Sequence, residues 1–456
     1  MSDSCVEDVL PLSPLQRGLL VESLARPDAG VYLIQYAIIF DQALETEELR
    51  RAWELVIERH PILRTEFYWR GLAEPVQVVR SRADVPLEVH DWRETSGSVD
   101  EAFATLMDRR RREGLDLRSA PLMNLDLLYL PDGRCRLAMT NHHLIEDAWS
   151  VQVVGREFLE LLDEIHRGGE PSVEPVPYEY RDHIEWVTDQ SRREAEQFWS
   201  EQLADVEPTR LPVRDRTTSE SEQAYGELRW EIADQTARQV EALAQRLHVS
   251  TNTVFQGAFA VLLSRYARDR EVTYGLVMSG RSGQLEAVDR RVGMFVNTVP
   301  MCIGVEPDRP LADWLRHLHD KQTQIRDYKH CSLTDIQQWA GHSSEQPLFE
   351  GIFGFQNLPS GIDEADFETL SISEMRGRER PHNPLSIQVR PQGGRVEISA
   401  YFEVSRLQRE DVGTLLEGYE QLLRSFGESS ARPLADHRLM EADEADKILG
   451  DWGSGS

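Results

Sequence analysis

Arg134-Cys135-Arg136-Leu137-Ala138-Met139-Thr140 runs directly into Asn141-His142-His143-Leu144-Ile145-Glu146-Asp147-Ala148-Trp149-Ser150. The first seven residues follow the hairpin signal Asp132-Gly133 and read as a returning β-strand. From Asp147 onward, Val154, Phe158, Leu161, Leu162 and Ile165 recur at helical spacing, and Gly168-Gly169 ends the pattern. Two adjacent histidines therefore stand where a strand hands over to a helix. Side chains alternate along an extended segment, so the two rings are expected to point opposite ways. That arrangement does not suit two ligands on one metal, and helical metal pairs are spaced i, i+4, so no metal site is expected. Histidine does suit proton transfer near neutral pH. Asp147 falls at a helix start, where the dipole favours a carboxylate. Taken alone, the stretch reads first as a turn of satisfied polar groups.

Working outward, helices and strands alternate along the whole chain. Ser13 caps a short helix with Pro14 at its first position. Residues 31–40 (VYLIQYAIIF) read as a strand, and Thr46 as the cap of a helix carrying Leu49, Trp53, Val56 and Ile57 on one face. Strands follow at 62–68, 86–90 and 122–130. Residues 168–177 (GGEPSVEPVP) are Pro-rich and acidic and make the best linker. Beyond it, helices are expected at 179–203, 235–246, 251–267, 309–326 and 408–426. Strands are expected at 225–232, 271–278, 298–305, 349–356, 384–391 and 395–402. The class is α/β, in two halves joined near residue 175.

The 456 residues exceed one ordinary core. With 79 acidic against 50 basic residues the net charge is −29, which disfavours nucleic acid as a partner. Cys5, Cys135, Cys302 and Cys331 lack CxxC spacing, so neither a disulfide framework nor structural zinc is expected, and a reducing cytoplasm fits. No apolar h-region opens the chain and no run is long enough to span a bilayer, so no membrane role is expected. Residues 453–456 (GSGS) read as a cloning remnant and are set aside.

Several stretches in order carry a resemblance. His142-His143 followed by Asp147-Ala148 resembles the HHxxxDG core motif of nonribosomal peptide synthetase condensation domains. Leu12-Ser13-Pro14-Leu15-Gln16-Arg17-Gly18 resembles that family's opening motif, and Arg59 through Phe67 (RHPILRTEF) its RHxxLRTxF motif. Tyr180-Arg181-Asp182-His183-Ile184-Glu185-Trp186 is similar to YxDFxxW. Gly293-Met294-Phe295-Val296-Asn297-Thr298, preceded by Ser279-Gly280-Arg281, matches GxFVNT. His330 through Gln337, Phe355-Gln356-Asn357 and Asn383-Pro384-Leu385 fit the later motifs. The resemblance runs from about residue 8 to 450.

It implies two chloramphenicol acetyltransferase-like lobes, residues 1–174 and 175–438, in a V-shaped pseudo-dimer with a tunnel at the seam. Residues 439–452 resemble a linker toward an adjacent adenylation domain, and Val6-Glu7-Asp8 the exit from a carrier protein. The implied reaction is peptide-bond formation between a donor aminoacyl or peptidyl thioester and an acceptor aminoacyl thioester. Both ride on phosphopantetheine arms of upstream and downstream peptidyl carrier proteins. No cofactor of the chain's own is implied, and a monomer is expected. The His330–Trp339 stretch and the opening motif are similar to the subtype that takes an L-configured donor terminus. His143 is implied to meet the attacking amine, as base or as positioner, with His142 packing away from it. Asp147 is implied to pair with an arginine of the second lobe, for which Arg281 is the candidate.

Ala148 stands where the family has glycine; if the backbone there were left-handed, the methyl group would add strain. Glu146 could face the tunnel and attract an acceptor ammonium, but a solvated or Arg-paired glutamate is the plainer expectation. Trp149 is expected in the core and Ser150 inside or capping the helix. Asn297, Gln356 and Asn357 are candidates for the tunnel wall or, equally, satisfied turn amides. An epimerization domain and a catalytically silent docking or recruitment domain share the fold. The residues after Asp147 speak against the first, and the retained histidines against the second. A heterocyclization domain would carry aspartates in place of the histidines.

Overall fold

The computed structural model describes residues 5–26, 30–204, 206–211, 225–281, 285–343, 346–357, 367–378 and 383–439. Residues 440–456 lie outside them, and with them nearly all of the expected linker and the terminal GSGS. The chain begins β1 (Val6–Pro11), α1 (Pro14–Ala25), β2 (Leu33–Phe40), α2 (Thr46–Arg59), β3 (Thr65–Tyr68), β4 (Val76–Arg80) and β5 (Leu87–Asp91). It continues with α3 (Val99–Glu113), β6 (Met123–Tyr129), β7 (Cys135–His142), α4 (Ala148–His166), α5 (Tyr180–Thr188) and α6 (Arg192–Gln202). Then come β8 (Tyr225–Ile232), α7 (Asp234–Leu247), α8 (Thr251–Ala267), β9 (Glu271–Ser279), β10 (Val296–Gly304), α9 (Leu311–Asp327) and α10 (Leu333–Trp339). The last are β11 (Gly351–Phe355), β12 (Ile372–Arg378), β13 (Leu385–Gln392), β14 (Arg395–Glu403) and α11 (Arg409–Glu428).

The chain forms two compact units, and the first takes residues 1–191 together with 279–296 and 358–380. Its main sheet has the order β12-β2-β7-β6-β5, antiparallel except where β5 runs parallel to β6. A small sheet, β1-β4-β3, lies in the same unit. All eight residues of β7 are buried because both faces of the sheet are covered. Leu137 and Met139 join a core with α2 and α4, in which Trp53 stacks on Phe158 at 4.7 Å between ring centres. Ala138, on the opposite face, packs with Leu106 and Met107 of α3. The second unit is built on the sheet β10-β9-β11-β13-β14-β8, and helix α8, buried on nearly every side, belongs to its core.

The units do not divide where the Pro-rich segment suggested. Helix α5 stays with the first unit because Tyr180 and Ile184 sit in its core. Residues 285–296 return to it through Val292, Met294 and Phe295, and 367–378 through Leu370 and Ile372, with β12 pairing to β2. The expected helix over 179–203 is two helices, α5 and α6. Helix α3 was not expected: its buried stripe is only Leu106, Met107 and an arginine, Arg111, so the apolar period is too thin to read. Strands β1, β4 and β12 were not read either; β1 and β12 are the last strands of their sheets, and β1 has a largely exposed burial pattern. Ser13 does cap α1, within a capping box closed by Gln16, whereas Glu45 rather than Thr46 occupies the cap of α2. All four cysteines are free thiols. No helix among the described residues is long and apolar enough to cross a membrane.

Candidate active site

Strand β7 ends on His142, which is buried and has two defined partners. Leu144 N–H donates to its Nδ1 at 3.1 Å, so Nδ1 carries no proton and Nε2 does. That Nε2–H faces Ser23 Oγ of α1 at 3.2 Å, while Ser23 donates onward to the Leu19 carbonyl at 2.7 Å. Burial, and secondarily the neighbouring His143, push the His142 pKa down to about 3, so the ring stays neutral. Both of its ring nitrogens therefore have partners.

His143 differs in every respect. Its backbone N–H donates to Tyr32 O at 2.9 Å, and its ring is only partly buried. Nδ1 lies 3.2 Å from the Glu146 carbonyl oxygen, which can only accept, so Nδ1 carries the proton. In the neutral ring Nε2 then holds a free lone pair, and it has no hydrogen-bond partner among the described residues. Tyr32 itself has the left-handed φ of 59°, uncommon for a bulky side chain. Arg111 braces this bend by donating to the carbonyls of Gly30 at 3.2 Å and Leu33 at 3.1 Å, and to Gln35 Oε1 at 3.0 Å.

Asp147 caps α4: its Oδ1 accepts from Ser150 N–H at 2.8 Å. The same oxygen accepts from Arg281 at 3.0 Å, with both side chains almost wholly buried. Its second oxygen accepts from Phe295 N–H at 3.2 Å. Arg281 also donates to the carbonyls of Val288 at 2.6 Å and Arg291 at 2.8 Å, and its guanidinium lies 4.3 Å from the centre of the Phe295 ring. The pair thus joins the His loop to residues 279–296, and it lies inside the first unit rather than reaching into the second. Ser150, expected only as a helix residue, is a hub: its Oγ meets Asp147, Arg281, and both the carbonyl and N–H of Gly293. Gly293 is needed there, because a Cβ at this position would lie 2.3 Å from the Tyr180 ring.

The opening motif converges on the same loop. Gln16 is wholly buried and donates to the Leu144 carbonyl at 2.8 Å. Tyr180 OH lies 2.7 Å from the Met294 carbonyl, to which it donates, and 3.3 Å from Ser13 Oγ. Four stretches scattered over some 280 residues of sequence therefore meet around residues 142–150.

Two expectations are corrected. Glu146 is neither solvated nor paired with arginine: it is fully buried, and its Oε1 accepts from Asn141 Nδ2 at 2.5 Å and from Tyr36 OH. Its Oε2 has no hydrogen-bond partner among the described residues. Burial raises its pKa to about 7 against the pull of those two donors, and Asp147 adds to the rise. Trp149 is not core but partly exposed, with its indole N–H donating to the Asp289 carbonyl at 2.8 Å. Ala148 is the first residue of α4 and is not among the residues with positive φ, so alanine carries no backbone strain there.

The glutamate's pKa gives a signed prediction. The folded chain holds the Glu146 proton to about pH 7, whereas an unfolded chain releases it near 4.5. Folding stability relative to the Glu146→Gln variant should therefore fall by about 1 kcal/mol per pH unit across that window and level off above it. Urea unfolding of both chains at pH 5, 6, 7 and 8 measures this, and a pH-independent difference would contradict the buried, neutral carboxyl.

The remaining candidates lie in the second unit. Asn297 donates to the carbonyls of Lys329 at 2.6 Å and Cys331 at 2.7 Å and accepts from Thr298 N–H at 2.9 Å, so its amide is fully used as a brace. Gln356 Oε1 accepts from Arg390 at 2.7 Å, and Asn357 is exposed. In the first unit, Glu88, His90 and Asp126 bring potential ligand atoms within 4.8 Å of one another. The Arg110 guanidinium already donates to both Asp126 oxygens, at 3.0 and 2.6 Å, and to Glu88, which fills the cationic position.

The condensation-domain family model matches residues 6–449. A linear gramicidin synthase chain of Brevibacillus parabrevis is 33% identical over 99% of this chain, which spans only 9% of that protein's length. The X-domain from teicoplanin biosynthesis superposes with a TM-score of 0.80 at 17% identity, covering 94% of this chain and 97% of that one. The first condensation domain of the calcium-dependent antibiotic synthetase superposes at 0.77 and 16% identity, covering 96% and 100%. These likenesses assign the mixed α/β, chloramphenicol acetyltransferase-like fold. With its His loop held as described and the family model matched from end to end, the chain belongs to the condensation-domain family of nonribosomal peptide synthetases.

Proposed function

We propose that this chain forms peptide bonds between two thioesters, each carried on the phosphopantetheine arm of a carrier protein. The donor is an aminoacyl or peptidyl thioester and the acceptor an aminoacyl thioester. The acceptor nitrogen attacks the donor carbonyl carbon; the C–N bond forms, the C–S bond breaks, and the donor thiolate leaves and is protonated. One observation carries the reading: His143 presents an Nε2 with no partner among the described residues, while its Nδ1–H is held by the Glu146 carbonyl. That nitrogen can accept a hydrogen bond, or the proton, from the amine. Because a thioester is already activated, orienting the amine supplies much of what the reaction needs.

His142, Asp147 and Arg281 act in this reading as supports of the loop rather than as reacting groups. Glu146 lies in the same loop, and Ala148 opens the helix that follows it. Asn297, Gln356 and Asn357 are not needed for the amine contact. The small fraction of its relatives' length that the chain spans fits an internal module beside carrier and adenylation domains. The motifs favour an L-configured donor terminus.

The test uses two carrier proteins loaded with labelled aminoacyl arms and mass spectrometry of the products. Dipeptide made by the wild-type chain supports condensation. Racemized donor without transfer would assign an epimerization domain instead. Carrier binding without either product would assign a docking domain.

A further inference from the structure

Glu146 is a wholly buried acid that the reaction above does not consume. Its side chain is moored at one oxygen. Oε1 takes hydrogen bonds from Tyr36, on β2, and from Asn141, on β7, and the Asn141 amide also donates to Tyr36 OH at 2.9 Å. Those two strands are paired in register, with Ile34 opposite Asn141 and Tyr36 opposite Met139, so the mooring stands on the central strand pair of the first unit's main sheet. The next peptide plane is held on both edges: Glu146 C=O accepts from His143 Nδ1, and Asp147 N–H donates to the Gly293 carbonyl at 3.3 Å. The side-chain bonds fix the Glu146 Cα, and the Asp147 bond fixes the tilt of its carbonyl.

We propose that Glu146 is a positioning residue for condensation: moored by Tyr36 and Asn141, it holds the carbonyl that receives the Nδ1–H of His143, so that Nε2 faces the acceptor amine unprotonated. This rests on the reading of His143 as the group that meets the amine. The imidazole has two neutral tautomers, and only a fixed acceptor at Nδ1 selects the one with Nε2 free. An apolar side chain at 146 would remove the acceptor that the Tyr36 hydroxyl and the buried Asn141 amide share, and with it the tie between the loop and strands β2 and β7. A shift of an ångström at a reacting group is enough to lower a rate by about 10²-fold. A glutamine retains the oxygen that both donors use.

The experiment pairs nitrogen NMR of histidine-labelled chain, which reads the His143 tautomer, with single-turnover and steady-state dipeptide formation on loaded carriers. Glu146→Ala and Tyr36→Phe are expected to mix the His143 tautomers and lower kcat about 10–100-fold, with KM for the acceptor carrier changed less than about 3-fold. Glu146→Gln is expected to restore the single tautomer and most of the rate. Tyr36→Phe keeps the ring's packing, so it remains informative if Glu146→Ala does not fold. An unchanged His143 signal in folded Tyr36→Phe would overturn the proposal, as would an unchanged kcat beside an altered signal. Should the wild-type chain make no dipeptide, the condensation reading falls, and the tautomer signal alone then decides for or against the mooring.

Discussion

Alanine at position 143 is expected to lower dipeptide formation by about 10²–10⁴-fold while leaving the chain folded. The structure separates the two halves of that statement. The His143 ring is only partly buried and makes one hydrogen bond through Nδ1, so truncation opens a small, solvent-reachable gap. Everything it contributes to chemistry, by contrast, sits on the unpartnered Nε2. Alanine at position 142 should do the reverse. It would strip Leu144 N–H and Ser23 of a buried partner, at about 1–3 kcal/mol for the group left unpaired. Comparing transfer rate and urea midpoint for the two variants measures the division of labour between neighbouring histidines. If His143→Ala transfers at the wild-type rate, the ring is not where the amine is received.

Arg281→Ala is expected to destabilise the first unit by about 3–5 kcal/mol, because it strands a buried carboxylate. Asp147 would retain its Ser150 and Phe295 donors but lose the guanidinium that pairs with it at that oxygen. Arg281 also ties down Val288 and Arg291, so residues 279–296 should loosen with it. A double-mutant cycle with Asp147→Asn separates the ion pair from the other contacts: the two substitutions together should cost clearly less than their sum. Hydrogen exchange over 285–296 should rise in Arg281→Ala. A loss below about 1 kcal/mol, or strict additivity, would show that the pair does not hold this segment.

Much of this site was legible beforehand, and what was not shares a cause. The Asp147–Arg281 pair was anticipated through the motif resemblance, and the different surroundings of the His142 and His143 rings through strand alternation; which ring reacts came from the resemblance alone. Ser23, Tyr32, Tyr36 and Arg111 carried no signal, and Ser150 only that of a helix residue: each is an ordinary residue whose importance comes from partners distant in sequence. The capping box at Ser13 and Gln16 was half visible, yet nothing local indicated that Gln16 would reach Leu144. Trp149 was misplaced because a large aromatic at a helix start is more often buried than left partly open, and here its neighbour across the gap is the Asp289 carbonyl rather than apolar side chains.

By itself the sequence determined most of the strand and helix spans, the strand-to-helix junction at the two histidines and the family. These rest on periodicity and on short motifs, which act over a few residues at a time. Only the tertiary structure decided that 285–296 and 367–378 fold back onto the first unit, that Glu146 is buried and moored, and that His143 Nε2 is the nitrogen left free among the described residues. Those outcomes depend on which distant groups exclude water from one another. Burial and hydrogen-bond pairing of that kind arise from the assembled chain and leave no periodic trace along it.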